Sequence, residues 1–188
     1  MTQIKSSRQY GRLAFVFGLS ATCIYLIMIN ITLEYIETLS GLQPFDMRPG
    51  GYSPEQANAL LNALGADGNR YYLTRQIPLD LMYPALMAIT LISIFKWLAT
   101  KYVAQKLTKI GVWLSLGAAV ADYLENVGIV VMILNWPEPP IYLVHAASTA
   151  SIAKAGLTPF AVLAVVIGLT IWAYDRTRIL LKPNSSNC

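Results

Sequence analysis

The hydrophobic pattern of the chain consists of four long apolar runs, at residues 13–33, 77–97, 110–134 and 155–174. Each run is close to the ~20 residues with which a helix crosses a hydrocarbon core of ~30 Å. The pattern therefore predicts an all-α membrane protein, a four-transmembrane-helix bundle that forms a single integral membrane domain over residues 1–188. The predicted spans cover about 12–34, 76–98, 110–134 and 146–174.

The connection between spans one and two, residues 38–75, is the only sizeable one, and it carries the signals of a short helix. Ser53 is a natural N-cap and Gln56 completes a capping box, while Gly65 is a natural stop. We predict a short amphipathic helix in this outer loop, which lies on the membrane surface or folds over the bundle as a lid. Its apolar face consists of Leu60, Leu61 and Leu64.

The third run has two different faces. One face carries small and polar residues in the i, i+3, i+4 rhythm of a helix, and the other carries an apolar stripe. We expect the first face to contact protein or water and the second face to contact lipid. The first face consists of Ser115, Ala118, Ala119, Asp122 and Asn126, with Glu125 beside them, and the second of Leu116, Val120, Leu124, Val127, Val131 and Leu134.

Composition supports a membrane protein. Hydrophobic residues make up 55% of the chain and charged residues only 13%, whereas an ordinary soluble domain carries ~25% charged residues. A large soluble core would need many polar surface helices, which a chain of 188 residues with this composition does not contain.

The distribution of basic residues predicts the orientation. Ten of the fourteen Lys and Arg residues lie before span one, between spans two and three, or after span four. By the positive-inside rule, both termini are expected in the cytoplasm and residues 38–75 outside. The net charge of +4 therefore reports topology and not a nucleic-acid partner. Tryptophans mark the expected boundaries: Trp97, Trp113 and Trp172 inside, and Trp136 outside.

Catalytic and cofactor motifs are missing from the sequence. It contains no Gly-rich phosphate loop, no Cys/His cluster with metal-ligand spacing and no Ser-elbow motif. The sequence therefore assigns no metal and identifies no cofactor.

Three motifs resemble a group of bacterial four-helix integral membrane proteins. They are "YYLTRQIPLDLMYP", "ADYLEN" and "STASIAK", and the resemblance spans residues 45–155. It implies the four-helix architecture and no activity, and with this resemblance we expect an integral protein of a bacterial inner (plasma) membrane.

The depth of each charged residue predicts one ion pair. With the cytoplasmic tryptophans as inner boundary and a rise of ~1.5 Å per residue, the centres of spans two and four fall near Ala88 and Val162. Asp80 and Lys154 then each lie about 12 Å outward of their span centres. We predict that these two side chains form a supporting ion pair.

The same depth argument leaves Asp122 and Glu125 at the membrane centre with no Lys or Arg at their level. An Asp at a span centre costs ~2.5–3.5 kcal/mol on the insertion scale, so such residues face the bundle interior and often mark function. We expect either a water-filled cavity beside them or at least one protonated carboxyl. Asp122, Glu125 and Asn126, whose amide would donate to a charged carboxylate, are thus the candidate site for binding a ligand, a proton or an ion.

Three functions fit such a site. The first is binding or relaying a proton, a cation or a small polar ligand, in a transporter or binding protein that four spans would build as a homodimer. The second is a membrane enzyme that uses Asp122 and Glu125 as general acid and base on a lipid-like substrate. The third is an accessory subunit of a larger membrane complex, in which a partner helix supplies the missing cation. The bilayer is the one partner common to all three.

The topology can be tested with single cysteines at position 58, in the outer loop, and at position 105, between spans two and three. A thiol reagent that cannot cross the membrane should modify only the cysteine at position 58 in intact cells, because the positive-inside rule places that segment outside. Modification of position 105 alone would show the inverted topology.

Overall fold

The computed structural model describes residues 2–180, and the surroundings of side chains from Ser6 to Arg178. Nearly all of this part of the chain is helical, and it contains no strand. The long helices are α1 (Thr2–Ile27), α2 (Leu33–Ser40), α3 (Pro54–Tyr71), α4 (Ile77–Ala99), α5 (Gln105–Leu134) and α6 (Ile141–Leu180). Short π-helical segments, Met28–Thr32 and Tyr72–Gln76, join α1 to α2 and α3 to α4.

The joined helices give four elements that are long and apolar enough to cross a membrane. They are Ser6–Ser40, Pro54–Ala99, Gln105–Leu134 and Ile141–Arg178. This confirms the predicted all-helical architecture with four apolar helices of spanning length.

The connection between the first two spanning elements is shorter than the sequence suggested. Helix continues to Ser40, so that only residues 41–53 lie outside long helices, with one 3-10 turn at Phe45–Met47. The Ser53–Gln56 capping box is present at the start of α3. At Gly65 the backbone leaves the helical region, with φ of 60°, and helical turns resume as far as Tyr71.

The apolar side of α3 is buried. Leu60 and Leu61 are fully buried, and they share a core cluster with Phe45 of the connection and with Ile129 and Met132 of α5. The connection between spans one and two is therefore folded against the helices and is part of the packed structure.

The helices pack in the order α1, α4, α5, α6, with additional contact between α4 and α6. Among the described residues, α1 makes no extensive contact with α6. A cleft between the first and the last spanning helix is the result.

Burial along α5 follows the predicted stripes. Ser115, Asp122 and Asn126 are buried, whereas Val120 and Leu124 are more than half exposed. This confirms the expectation that the face with the small and polar residues packs against protein.

Two side chains of α5 compensate for the proline in α4. Pro84 has no N–H, so the carbonyl of Asp80, four residues earlier, loses its helical partner. Asn126 Nδ2 donates to this carbonyl over 3.1 Å. Tyr123 Oη donates over 3.0 Å to the neighbouring carbonyl of Leu81. A buried carbonyl without a donor is costly in lipid, so these contacts make the interrupted helix compatible with a membrane.

A double-mutant cycle tests this role of Asn126. Asn126→Leu keeps the side-chain size, removes the donor, and should lower the free energy of unfolding by about 1–3 kcal/mol, because the Asp80 carbonyl is left unpaired. In a Pro84→Ala background the restored N–H can serve that carbonyl, so the same change should cost about 1 kcal/mol less. Unfolding in mixed micelles, followed by circular dichroism, measures both. Equal losses in the two backgrounds would show that Asn126 does not act through the proline.

Candidate functional site

A cavity of about 460 Å³ opens among the spanning helices and is lined by all four of them and by the connection 41–53. We call it the carboxylate cavity, because four of the chain's ten acidic side chains line it. The ionisable residues in its wall are Asp46, Arg48, Asp80, Asp122, Glu125 and Lys154, together with Tyr25 and Tyr83.

Helices α5 and α6 run antiparallel at close distance beside this cavity. A Cβ on Gly128 would lie 2.4 Å from the Cβ of Ala147, so only glycine permits this approach. One turn further along, Ser151 Oγ donates to Glu125 Oε1 over 2.5 Å. The register of the pair thus brings residues 151–154 of α6 beside residues 122–125 of α5.

Lys154 is ion-paired with both carboxylates of α5. Its Nζ lies 3.6 Å from Asp122 Oδ1 and in direct contact with Glu125 Oε2. Glu125 is fully buried and Asp122 nearly so, whereas the lysine side chain keeps 20% of its surface exposed. The cation that the depth argument found missing is therefore supplied by the same chain.

This pairing corrects the prediction that Lys154 pairs with Asp80. The depth argument centred span four on Val162, but α6 has 40 residues and extends well beyond the thickness of a bilayer. A helix of this length, about 60 Å, is not centred by one tryptophan at its end. Its true register is set by the Gly128–Ala147 contact, which places Lys154 at the level of Asp122.

Asp80 lies in the same cavity, and its surroundings leave it poorly compensated. Its side chain is 2% exposed, and its Oδ2 has no hydrogen-bond donor among the described residues. It shares the cavity wall with the carboxyl group of Asp46. Of these two acidic groups, it is Asp80 whose Oδ2 lacks a donor.

Asp46 is a site residue that the sequence reasoning missed. The 3-10 turn Phe45–Met47 carries it into the cavity, where Tyr72 Oη donates to Asp46 Oδ2 and Gln76 Nε2 lies 3.5 Å from Oδ1. Gln76 is fully buried, and its Oε1 accepts a 2.5 Å hydrogen bond from Thr32. Tyr72, Gln76 and Thr32 all belong to the two π-helical segments, which thereby hold Asp46 in place.

The connection is also fastened to α6. Gly51, with φ of 77°, lies so close to α6 that a Cβ there would be 2.5 Å from Ser148 Oγ. The backbone N–H of the next residue, Tyr52, donates to that hydroxyl over 2.8 Å. Burial raises the pKa of Tyr52, and the nearby Glu125 carboxylate raises it further. The phenol therefore stays protonated next to the acidic cluster.

Asn126 has a different role from the one predicted. It is fully buried, but it does not line the carboxylate cavity, and its amide donates to the Asp80 backbone carbonyl and not to a carboxylate. Four of the predicted site residues therefore line the cavity together, namely Asp80, Asp122, Glu125 and Lys154. Asn126 is buried outside the cavity wall.

The rest of the cavity wall is mostly apolar. α1 and the segment after it contribute Tyr25, Met28 and Leu33, and α6 contributes Ala155 and Pro159. Because residue 159 is proline, the carbonyl of Ala155 lacks its helical N–H partner and adds an acceptor to this wall. The cavity therefore combines an apolar side with an acidic side.

The acidic residues do not form a metal site. Within the described part of the chain, no three His, Cys, Asp or Glu side chains are grouped so that they could hold a metal ion.

Comparison of the chain with protein-family models, with curated proteins and with solved structures found no match. The resemblance to bacterial four-helix membrane proteins thus rests on the sequence motifs alone, and the function must be argued from the site.

The salt bridges predict a specific coupling. Lys154→Met should destabilise the protein by about 3–5 kcal/mol, because Asp122 and Glu125 are then buried without a cation. In an Asp122→Asn/Glu125→Gln background the same change should cost little, and in an Asp80→Asn background most of the loss should remain. Free energies of unfolding in mixed micelles give both couplings. A coupling to Asp80 as large as that to Asp122 and Glu125 would favour the pairing predicted from depth.

Proposed function

We propose that the protein binds a small amphiphilic molecule in the carboxylate cavity, with a head group that is positively charged and donates hydrogen bonds. The observation that carries this proposal is the Asp80 carboxyl group. It lines the cavity, is 2% exposed, and has an oxygen without a hydrogen-bond donor among the described residues. Buried acceptors are normally satisfied, so an empty acceptor on a cavity wall indicates where a donor of the ligand would bind.

The charge of the cavity supports a cationic ligand. Its wall holds four carboxyl groups, Asp46, Asp80, Asp122 and Glu125, against two cations, Arg48 and Lys154. With all six groups ionised, the net charge of the cavity wall is −2. Lys154 is engaged by Asp122 and Glu125, and the guanidinium of Arg48 donates to the carbonyl of Gln43 at 2.6 and 2.9 Å. Asp46 and Asp80 are therefore the groups left for a cation from outside.

The size and the apolar wall support an organic ligand and not a bare ion. A volume of about 460 Å³ lies within the range of ~300–1,000 Å³ that is typical of small-molecule sites. Tyr25, Met28 and Leu33 supply an apolar surface across from the acidic groups. Because α1 and α6 make no extensive contact within the described residues, the ligand can enter sideways from the bilayer between these helices.

The other two functions have less support. A general base must be free to exchange a proton with its substrate, but Asp122 and Glu125 are engaged by Lys154, and Glu125 also by Ser151. An accessory subunit was expected to need a cation from a partner helix, and Lys154 meets that need within the chain. Since one chain builds the whole cavity, binding requires no second copy, although a homodimer or a larger complex is compatible with it.

For the membrane setting, we propose a bacterial inner-membrane protein with both termini in the cytoplasm. The support for the orientation is the distribution of the basic residues, and the bacterial membrane rests on the resemblance of the sequence motifs alone. In this orientation, α3 is the amphipathic outer-loop helix, with Leu60, Leu61 and Leu64 turned toward the bundle and Glu55 and Gln56 exposed. The connection 41–53 contributes Asp46, Met47, Arg48 and Pro49 to the wall of the cavity, and α3 packs beside this connection.

The proposal is tested with octylamine as a probe, against octanol and octanoate as matched chains without the cation. Protein in a neutral maltoside detergent should unfold at a higher temperature with octylamine only, since a ligand that binds the folded state stabilises it by mass action. Asp80→Asn should weaken octylamine binding by about tenfold or more, which corresponds to the loss of one hydrogen bond to a charged group. Glu138→Gln, which removes an exposed acid outside the cavity, should leave it unchanged.

Equal stabilisation by octanol would show an apolar cavity without selection for a cation. Equal weakening by Asp80→Asn and Glu138→Gln would show that the head group is not bound at Asp80. Mass spectrometry of the recovered probe detects an enzyme, because a chemically altered octylamine would require turnover.

A further inference from the structure

A second cavity lies at the opposite end of the bundle, between the end of α4 and the start of α5. Its volume is about 340 Å³. Its wall on α5 runs from Gln105 to Leu116, so that along this helix Lys109 lies about 20 Å and Leu116 about 9 Å from Asp122 in the carboxylate cavity. We call it the basic groove, and the residues that define it are Lys96, Gln105 and Lys109 on the polar side and Phe95, Val112 and Leu116 on the apolar side.

The charge around the basic groove is uncompensated. Residues 81–121 contain four lysines and no Asp or Glu. No salt bridge within the described residues involves Lys96 or Lys109. The ammonium of Lys96 lies 5.7 Å from the ring centre of Tyr10, a contact that orients the lysine without neutralising it. Both lysines are exposed and keep their full charge available for a ligand.

The polar and apolar sides of the groove follow one another along α5. Gln105, Thr108 and Lys109 lie in its first turns, and Val112 and Leu116 follow on the same side one and two turns further in. Trp113, which also lines the groove, is 73% exposed. Exposed tryptophan and lysine at the end of a spanning helix are typical of the head-group region of a bilayer. The groove thus offers cations at head-group depth and an apolar surface at acyl-chain depth.

We propose that the basic groove binds one anionic glycerophospholipid, with its phosphate at Lys96 and Lys109 and an acyl chain along Val112 and Leu116. Basic pockets between spanning helices bind anionic head groups, and each basic residue near such a surface adds to the affinity. Charge complementarity selects the anionic head group, and the apolar side selects a lipid over free phosphate. The site shares no residue with the carboxylate cavity and does not depend on the function proposed for it.

The test compares two double variants of the full chain in detergent. Lys96→Gln/Lys109→Gln removes the cations of the groove, and Lys101→Gln/Lys106→Gln removes the same charge from nearby lysines outside it. Native mass spectrometry follows retention of phosphatidylglycerol and of phosphatidylcholine with identical chains. The native protein should prefer phosphatidylglycerol, the groove variant should lose about tenfold or more of this affinity, and the control variant should stay within about twofold.

Three results would overturn the proposal. Equal losses in the two double variants would show diffuse attraction to the whole basic end. Equal retention of phosphatidylcholine would show that the head-group charge is not selected. Displacement of the lipid by inorganic phosphate at comparable concentration would show a site for free phosphate. The four lysines are exposed, so thermal unfolding of both variants should match that of the native chain.

Discussion

The structure depends on the compensation of charge buried among spanning helices. Lys154 contacts both Asp122 and Glu125 at this depth and offsets one of their two charges, and these contacts require the register of α5 against α6 that the structure shows. The close Gly128–Ala147 contact and the Ser151–Glu125 hydrogen bond follow from the same register. Removing one partner of such a group is far more costly than replacing the whole group by apolar residues. The salt bridges therefore specify one arrangement of the helices more than they add stability.

Polar side chains close to this group also donate hydrogen bonds to the backbone of a neighbouring helix. Pro84 opens the hydrogen-bond ladder of α4 beside the cavity, and Asn126 and Tyr123 close it from the neighbouring helix. In the hydrocarbon region of a bilayer, buried carbonyls of this kind must be satisfied within the protein. Pro159 opens α6 in the same way at Ala155, on the cavity wall. In α4 the free carbonyl accepts a hydrogen bond from the Asn126 side chain. In α6 the free carbonyl belongs to Ala155, a residue that lines the cavity.

Sequence reasoning predicted the features that depend on composition and helical period. The spanning helices, the two faces of α5 and the capping box at Ser53 are local patterns, and each is present in the structure. The pairing of Lys154 was predicted wrongly, because helix register depends on contacts between segments that are distant in sequence. The run of small residues around Ala147 and Ser151 was the available signal, since small residues let membrane helices approach closely. Asp46 was missed because its place in the cavity depends on a short loop fastened by Tyr72 and Gln76.

The identity of the partner of Lys154 changes which carboxylates matter most for binding. The sequence drew attention to Asp122 and Glu125, because they lie mid-membrane in an apolar run. Lys154 contacts both of them and offsets one of their two charges, so a cationic ligand would compete there with a cation of the protein. Asp80 and Asp46 line the same cavity and form no salt bridge within the described residues, and Asp46 is carried by the connection 41–53. Two like charges held close together are favourable only when a proton or a cation is shared between them. For the cationic ligand proposed above, we therefore expect the head group at the acidic pair of Asp80 and Asp46, and not at the more conspicuous pair inside α5.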